Sequence, residues 1–296
     1  MLGVKKEENA MNKEKIALLI DSGTDIPTNY LAKDNVFVLP LRIIFDDSEY
    51  IDKVTITSDE LFERMEGDIP STSLPTGKDI LNKIDEIRTQ GFTKIIAITI
   101  SGALSGTNGA IKNIVAEYAE GLDVFVLDTK SISIGSGLFV IAATKAIEAG
   151  TAFADITSML VAKLKETKVF FTVGTLEYLK KGGRISSFAA LMSGVFNIKP
   201  IITCDDTGAY ALVAKERGKK KSYDRLIAMT KEVTEKFKKP YMLAIVHGRS
   251  REDFEAFKAE ALAALPDAQE VVSVVVSPAL GVHTGPDAMG IAVQTV

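Results

Sequence analysis

The chain of 296 residues has one cysteine, two histidines and no tryptophan. A lone Cys204 excludes an internal disulfide and a thiolate-rich metal site, and His247 and His283 are too few for an imidazole-rich one. Excess positive charge is missing as well: 35 Lys and Arg stand against 39 Asp and Glu, for a net charge of −4. That balance speaks against a nucleic-acid partner, because neutralising phosphates takes clustered excess basic residues. No apolar run approaches the roughly 20 residues needed to span a bilayer. The opening MLGVKKEENAMNKEK carries charge with no apolar stretch behind it, so it reads as a disordered tail over 1–13. Met1 and Met11 both stay open as the start, and a cytoplasmic protein is the expectation. The signatures G-x-S-x-G, G-x-x-x-x-G-K-[ST], H-E-x-x-H and a strict G-x-G-x-x-G are also absent.

Short β-branched runs alternating with helical patterns are what the chain does have. IALLI (16–20), KIIAITI (94–100) and DVFVLD (123–128) read as strands. VFVLPLRIIF (36–45) is strand-like, with Pro40 demoting it to an edge or a bulge. SDELFERME (58–66) shows a serine cap and helical spacing, and GKDILNKIDEIRTQ (77–90) sets Ile80, Ile84 and Ile87 on one face. Helices are also expected from about residue 107 and over 135–150. This alternation predicts a parallel sheet with covering helices, and ligands in such sheets sit beyond the carboxyl ends of the strands. After a helix ending near Lys165 the rhythm becomes strand-rich. The expected organisation is an N-terminal α/β domain over 14–165 and a C-terminal α/β domain over 166–296, closely packed because no Pro/Ser-rich linker parts them.

Small polar loops stand where the sheet would bind. GDIPSTSLPTGKDI (67–80) holds two prolines that remove backbone donors and several hydroxyls that replace them, which suits either a capped linker or a ligand loop. In SGALSGT, Ser105 and Gly106 precede a helix, where free amides attract anions; Ser105 or Thr107 acting as a plain cap is the other reading. DTKSISIGSG, KKGGRI and GVHTGPD complete the set. His283 lies among glycines and a proline, away from any apolar helical face, whereas His247 ends a strand. Asp21 and Asp25 form an acidic pair on paper, with Asp25 expected as a helix cap.

The order STSLPT, LSGT, D-T-K-S-x-S-x-G-x-G, T-L-E-Y-L-K-K-G-G-R-I and H-T-G-P resembles the DegV family from about residue 16 to the end. The resemblance implies a two-domain α/β fold with a long apolar tunnel between the domains. It also implies one long-chain fatty acid bound there, its carboxylate presented to a separate kinase subunit that supplies ATP and Mg²⁺. On that pattern Thr72, Ser73, Ser105, the Gly106 amide and His283 would hold the carboxylate, and Arg184 and Arg217 would face the partner near the mouth. No catalytic residue, metal or cofactor of the chain's own is expected. Three departures stand out: Leu74 and Thr76 in the first loop, Asn108 where an aromatic is common, and Asp287 after HTGP.

Physical chemistry suits this division of labour. Each buried methylene is worth about 0.8 kcal/mol, so a long tail contributes on the order of 10 kcal/mol before ordering costs, while the head sets orientation. Basic residues Lys180, Lys181, Lys215 and Lys219 to Lys221 join the two arginines as docking candidates, since lysines at a helix start oppose its dipole. A transient membrane-surface contact fits a lipid carrier. Phe170, Phe171, Phe188, Leu191, Met192, Val195 and Phe196 are candidate tunnel walls, with core packing the safer reading of each. Two other functions remain open: a stand-alone small-molecule enzyme on a Rossmann-like sheet, with Ser105 and His283 as acid and base, and a lipid-sensing regulatory module.

Overall fold

Continuous apolar runs, unlike alternating ones, belong to strands covered on both faces. The structure is a computed structural model that describes residues 12–184 and 197–296. Its strands in chain order are β1 (Ile16–Asp21), β2 (Val36–Leu39), β3 (Arg42–Ile44), β4 (Glu49–Ile51), β5 (Ser71–Ser73), β6 (Lys94–Thr99), β7 (Asp123–Asp128), β8 (Thr167–Thr172), β9 (Ile198–Cys204), β10 (Tyr210–Arg217), β11 (Tyr241–His247), β12 (Ala268–Val275) and β13 (Met289–Thr295). The first sheet runs β2-β1-β6-β7, all parallel. A small antiparallel sheet follows the order β4-β3-β5. The third runs β10-β9-β8-β13-β11-β12, antiparallel except for β11 with β12. No helix among the described residues is long and apolar enough to cross a membrane.

Pro40 acts as the sequence suggests, and goes further. It ends β2, an edge strand, and the chain then leaves for the small sheet as β3. The stretch read as a loop, STSLPT, is corrected by β5: Ser71–Ser73 pair with Ile44, Ile43 and Arg42. Its hydroxyl-rich sequence hides the strand because β5 is an edge whose partner, not its propensity, supplies the hydrogen bonds. The helix Gly77–Thr89 begins at a capping box of Thr76 and Asp79 and buries Ile80, Ile84 and Ile87. The preceding helix, Ser58–Arg64, is capped by Thr57 with Glu60 and not by the serine.

The helix Ile134–Glu148 is apolar nearly all round, as a helix enclosed on every side must be. It packs against β1 and β6 of the first sheet and against β11 and β13 of the third. One core cluster therefore runs through both sheets, and the outer faces of each carry their own smaller cores. At the other end of the first sheet, Asn12 hydrogen-bonds both the amide and the carbonyl of Ile16, which ties this part of the segment read as a tail to β1. Residues 1–11 of that tail lie outside the described residues, as do Phe188, Leu191, Met192, Val195 and Phe196.

Candidate functional site

The segments that follow the carboxyl ends of β6 and β7 line one cavity of about 150 Å³. Ile100, Leu104, Ser105 and Gly106 follow β6, and Ile132 follows β7. From the small sheet come Thr72 and Ser73, with Leu41 and Leu74 beside them; from the far half come Arg184, Tyr210, Leu280 and His283. Five positions expected at a carboxylate, Thr72, Ser73, Ser105, Gly106 and His283, thus line a common space.

His283 is not in a glycine loop. It occupies the last turn of a short, fully buried helix, Pro278–Thr284, started by the Ser277 side chain and by Pro278 at the first helical position. Its Nε2 lies 2.7 Å from Thr72 Oγ1, whereas its Nδ1 is buried with no hydrogen-bond partner among the described residues. An orphaned N–H is rarer in proteins than an orphaned acceptor, which assigns the proton to Nε2. Imidazole then donates to Thr72, and the threonine hydroxyl hydrogen is free to donate into the cavity. Burial first, and the Arg184 guanidinium second, push the imidazole pKa down to about 3, so it is neutral at pH 7.

Ser105 Oγ sits 3.0 Å from Thr107 Oγ1 and accepts from the Thr107 amide at 3.4 Å. It therefore supports the start of the helix Thr107–Tyr118, whose cap residue, Gly106, has no side chain to offer. The loop bearing it is pinned by Asp128, which accepts from the Gly102 amide at 3.0 Å, and by the Ser131 carbonyl, which accepts from the Ser101 amide at 2.7 Å. Asn108 spends its amide on Thr99 Oγ1 and the Leu127 carbonyl, a structural role.

Arg184, expected near the mouth, is half-buried. It lines the cavity itself, tied by its guanidinium to the carbonyls of Leu104 and Gly182. Arg217 ends the edge strand β10, is exposed, and is not among the lining residues. In the lysine run, Lys219 pairs with Asp253, and Lys220 with Asp224 and Glu260, so neighbouring carboxylates balance charges placed at the start of helix Lys219–Thr234. Asp287 lies against Gly174, beside Lys199 and Lys219 around a separate cavity, and not at the head of the first. His247 stacks on Phe254 away from both.

Behind Ile132, Tyr210 and Leu280 the first cavity meets an apolar one lined by Val169, Phe171, Val246 and Met289. Phe171 is thus a wall as expected, while Phe170, on the opposite face of β8, packs in the outer core. The apolar space measures about 30 Å³. An open tunnel was the expectation; the structure instead has a channel closed by side chains, smaller than the roughly 300–1,000 Å³ of ligand pockets, so a long guest must displace them.

Gly182 shows how tightly the head of the site is fitted. A methyl added there would overlap His283 Nδ1. Gly182→Ala is expected to push the ring off Thr72, leaving the fold intact; nitrogen-15 spectra of the imidazole check it, and an unshifted ring would contradict the fit.

Sequence reasoning missed the apolar partition of Ile132, Tyr210 and Leu280. The signal available for Ile132 was its place just beyond β7 within DTKSISIGSG; Tyr210 and Leu280 offered none. It also missed a buried charge cluster behind the site. Asp25, read as a cap, instead pairs with Lys53 at 2.7 Å. Burial raises Asp21 to about 7, against the pull of the Ile100 and Gly23 amides, and raises Asp52 to about 6, against Lys53 and Ser22.

Comparison with known proteins agrees with this architecture. The sequence model of the family described as "Uncharacterised protein, DegV family" matches residues 15–296. A DegV domain-containing protein of Clostridium acetobutylicum is 35% identical over 280 residues, 94% of this chain and 98% of its own. The solved structure of a fatty-acid-binding DegV family protein from Thermus thermophilus superimposes with a TM-score of 0.88 at 28% identity, covering 95% of this chain and 99% of that one. A stearic acid-binding protein from Eubacterium ventriosum gives 0.86 at 29% identity, with 95% and 98% covered. The chain belongs to the DegV family.

Proposed function

We propose that this protein binds one long-chain fatty acid, with its carboxyl group in the cavity between Thr72, Ser105 and His283 and its tail in the apolar channel behind Leu280. The observation that carries the reading is the 2.7 Å contact of Thr72 with a neutral His283. It orients one hydroxyl donor into a cavity that also holds Ser105, the Gly106 segment and one guanidinium, and that backs onto apolar walls. Relatives described as fatty-acid-binding proteins support the choice of guest.

The carboxylate is then presented to a separate ATP-dependent kinase. One carboxylate oxygen attacks the γ-phosphorus of ATP, the bond to the β-phosphate oxygen breaks, and ADP leaves with that electron pair, giving an acyl phosphate. Hydroxyl donors and a neutral ring suit this step, because they hold the head without quenching the nucleophilic oxygen as a full ion-pair clamp would. Arg184 is placed to balance the added charge of the product. The chain itself acts as carrier, not enzyme.

Incubating the loaded protein with a purified bacterial fatty acid kinase subunit, ATP and Mg²⁺, then trapping with hydroxylamine, is expected to yield a fatty hydroxamate. A loaded protein that gives none, while a carrier known to work with that kinase does, would contradict the kinase step and favour lipid sensing alone.

A further inference from the structure

Ser133 of the motif DTKSISIGSG and Asp25, just beyond the end of β1, meet behind the head-group cavity. Asp25 accepts Lys53 Nζ at 2.7 Å through one oxygen and Ser133 Oγ at 2.6 Å through the other. Both oxygens lie within 3.3 Å of the Ser277 amide. Asp52 accepts Ser22 Oγ at 2.5 Å and the Ala279 amide at 2.9 Å. Ser22 Oγ in turn accepts the Leu41 amide at 3.0 Å, and Lys53 Nζ donates to the Ser22 carbonyl.

These bonds reach both partners of one contact. Ser277 and Ala279 open the helix whose last turn carries His283. Leu41 leads into β3, which pairs with the strand bearing Thr72. The helix has no slack of its own, since a methyl on Gly281 would already come within 2.9 Å of the Phe62 ring. Strain gathers at the same place: Asp25, Lys53 and Ser133 have φ of 44°, 61° and 51°, the left-handed region that residues with side chains avoid. Outliers held by a convergent set of contacts mark a spot where geometry matters more than local comfort.

We propose that Asp25, Asp52 and Lys53 are positioning residues for the head-group site: they clamp the first turn of the His283 helix to the small sheet and so set the Thr72–His283 contact. The role deepens the fatty-acid reading and rests on it for its purpose, though the contact itself is testable with no lipid present.

The test compares Asp52→Ala with Leu243→Ala, a cavity variant in the separate outer core of the third sheet. Long-range proton–nitrogen spectra at neutral pH, with His247→Gln assigning the two rings, are expected to show His283 as a single Nε2–H tautomer in the wild type. Asp52→Ala should convert it to an exchanging mixture and speed release of radiolabelled oleate about tenfold, the scale of one lost hydrogen bond. Leu243→Ala should lower Tm and leave the ring unchanged. Ser22→Ala, which removes one bond to Asp52 and one to Leu41, should shift the ring in the same direction if Asp52→Ala does not fold. A single wild-type tautomer in whichever of Asp52→Ala and Ser22→Ala folds would overturn the proposal. A scrambled ring in the variant, beside a wild type that takes up no oleate, would support the positioning role and sink the fatty-acid reading alone.

Discussion

His283→Ala is expected to keep the fold, to speed loss of a bound fatty acid by about tenfold to a hundredfold, and to flatten one limb of the stability–pH curve. The first effect follows from the donor chain. Without Nε2–H, the Thr72 hydroxyl has no partner to orient it, and water enters the vacated volume, so the carboxyl loses a directed hydrogen bond worth about 1–3 kcal/mol. The second follows from linkage. His283 has its pKa lowered to about 3 by burial and by Arg184, against about 6.5 in the unfolded chain. Between pH 6.5 and 3 the unfolded chain takes up a proton that the folded one refuses, so folded-state stability falls as pH falls, by a few kcal/mol in all. Asp21 and Asp52, raised to about 7 and 6, titrate with the opposite sign but are present in both proteins. They cancel in the difference. Thermal melts from pH 7 to pH 4 should therefore show the wild type losing stability relative to the variant, and a difference that stays constant with pH would contradict the burial of a neutral ring.

Arg184→Met should weaken retention of the ionised acid by roughly ten- to a hundredfold, since hydrogen bonds to charged groups contribute about 1.5–3 kcal/mol. Among the residues lining the cavity Arg184 carries the positive charge. The loss should be greatest at low salt and smaller for an uncharged methyl ester, which has no anion to balance. Arg217→Met provides the contrast, because that side chain is exposed on an edge strand. Its effect should be confined to kinase turnover, with lipid retention unchanged. Equal loss of retention in the two variants would place the carboxylate elsewhere.

Much of the N-terminal sheet was legible, because β1 and β6 are continuous apolar runs whose pattern admits few other placements. The head-group residues were legible only as an ordered set of loops, since Thr72, Ser105 and His283 have no periodicity that joins them. Where sequence reading failed, partners were distant. Asp52 holds an amide 227 positions away and Asp25 one 252 away, so neither spacing nor composition could pair them. Lys219 and Lys220 read as an unbalanced run because, Asp224 apart, their carboxylates Asp253 and Glu260 come 34 and 40 residues later. β5 was taken for a loop because edge pairing, not β propensity, makes it a strand. His283 was placed outside a helix because a seven-residue helix is too short to show a period.

Mass spectrometry of lipid extracted after denaturing the purified protein tests the central claim most directly. One long-chain fatty acid per chain is the expected yield from the wild type, falling steeply in a Thr72→Val/His283→Ala double variant that still melts cooperatively. Protein that releases no acid even after incubation with oleate, or a double variant that holds it as firmly as the wild type, would contradict the account.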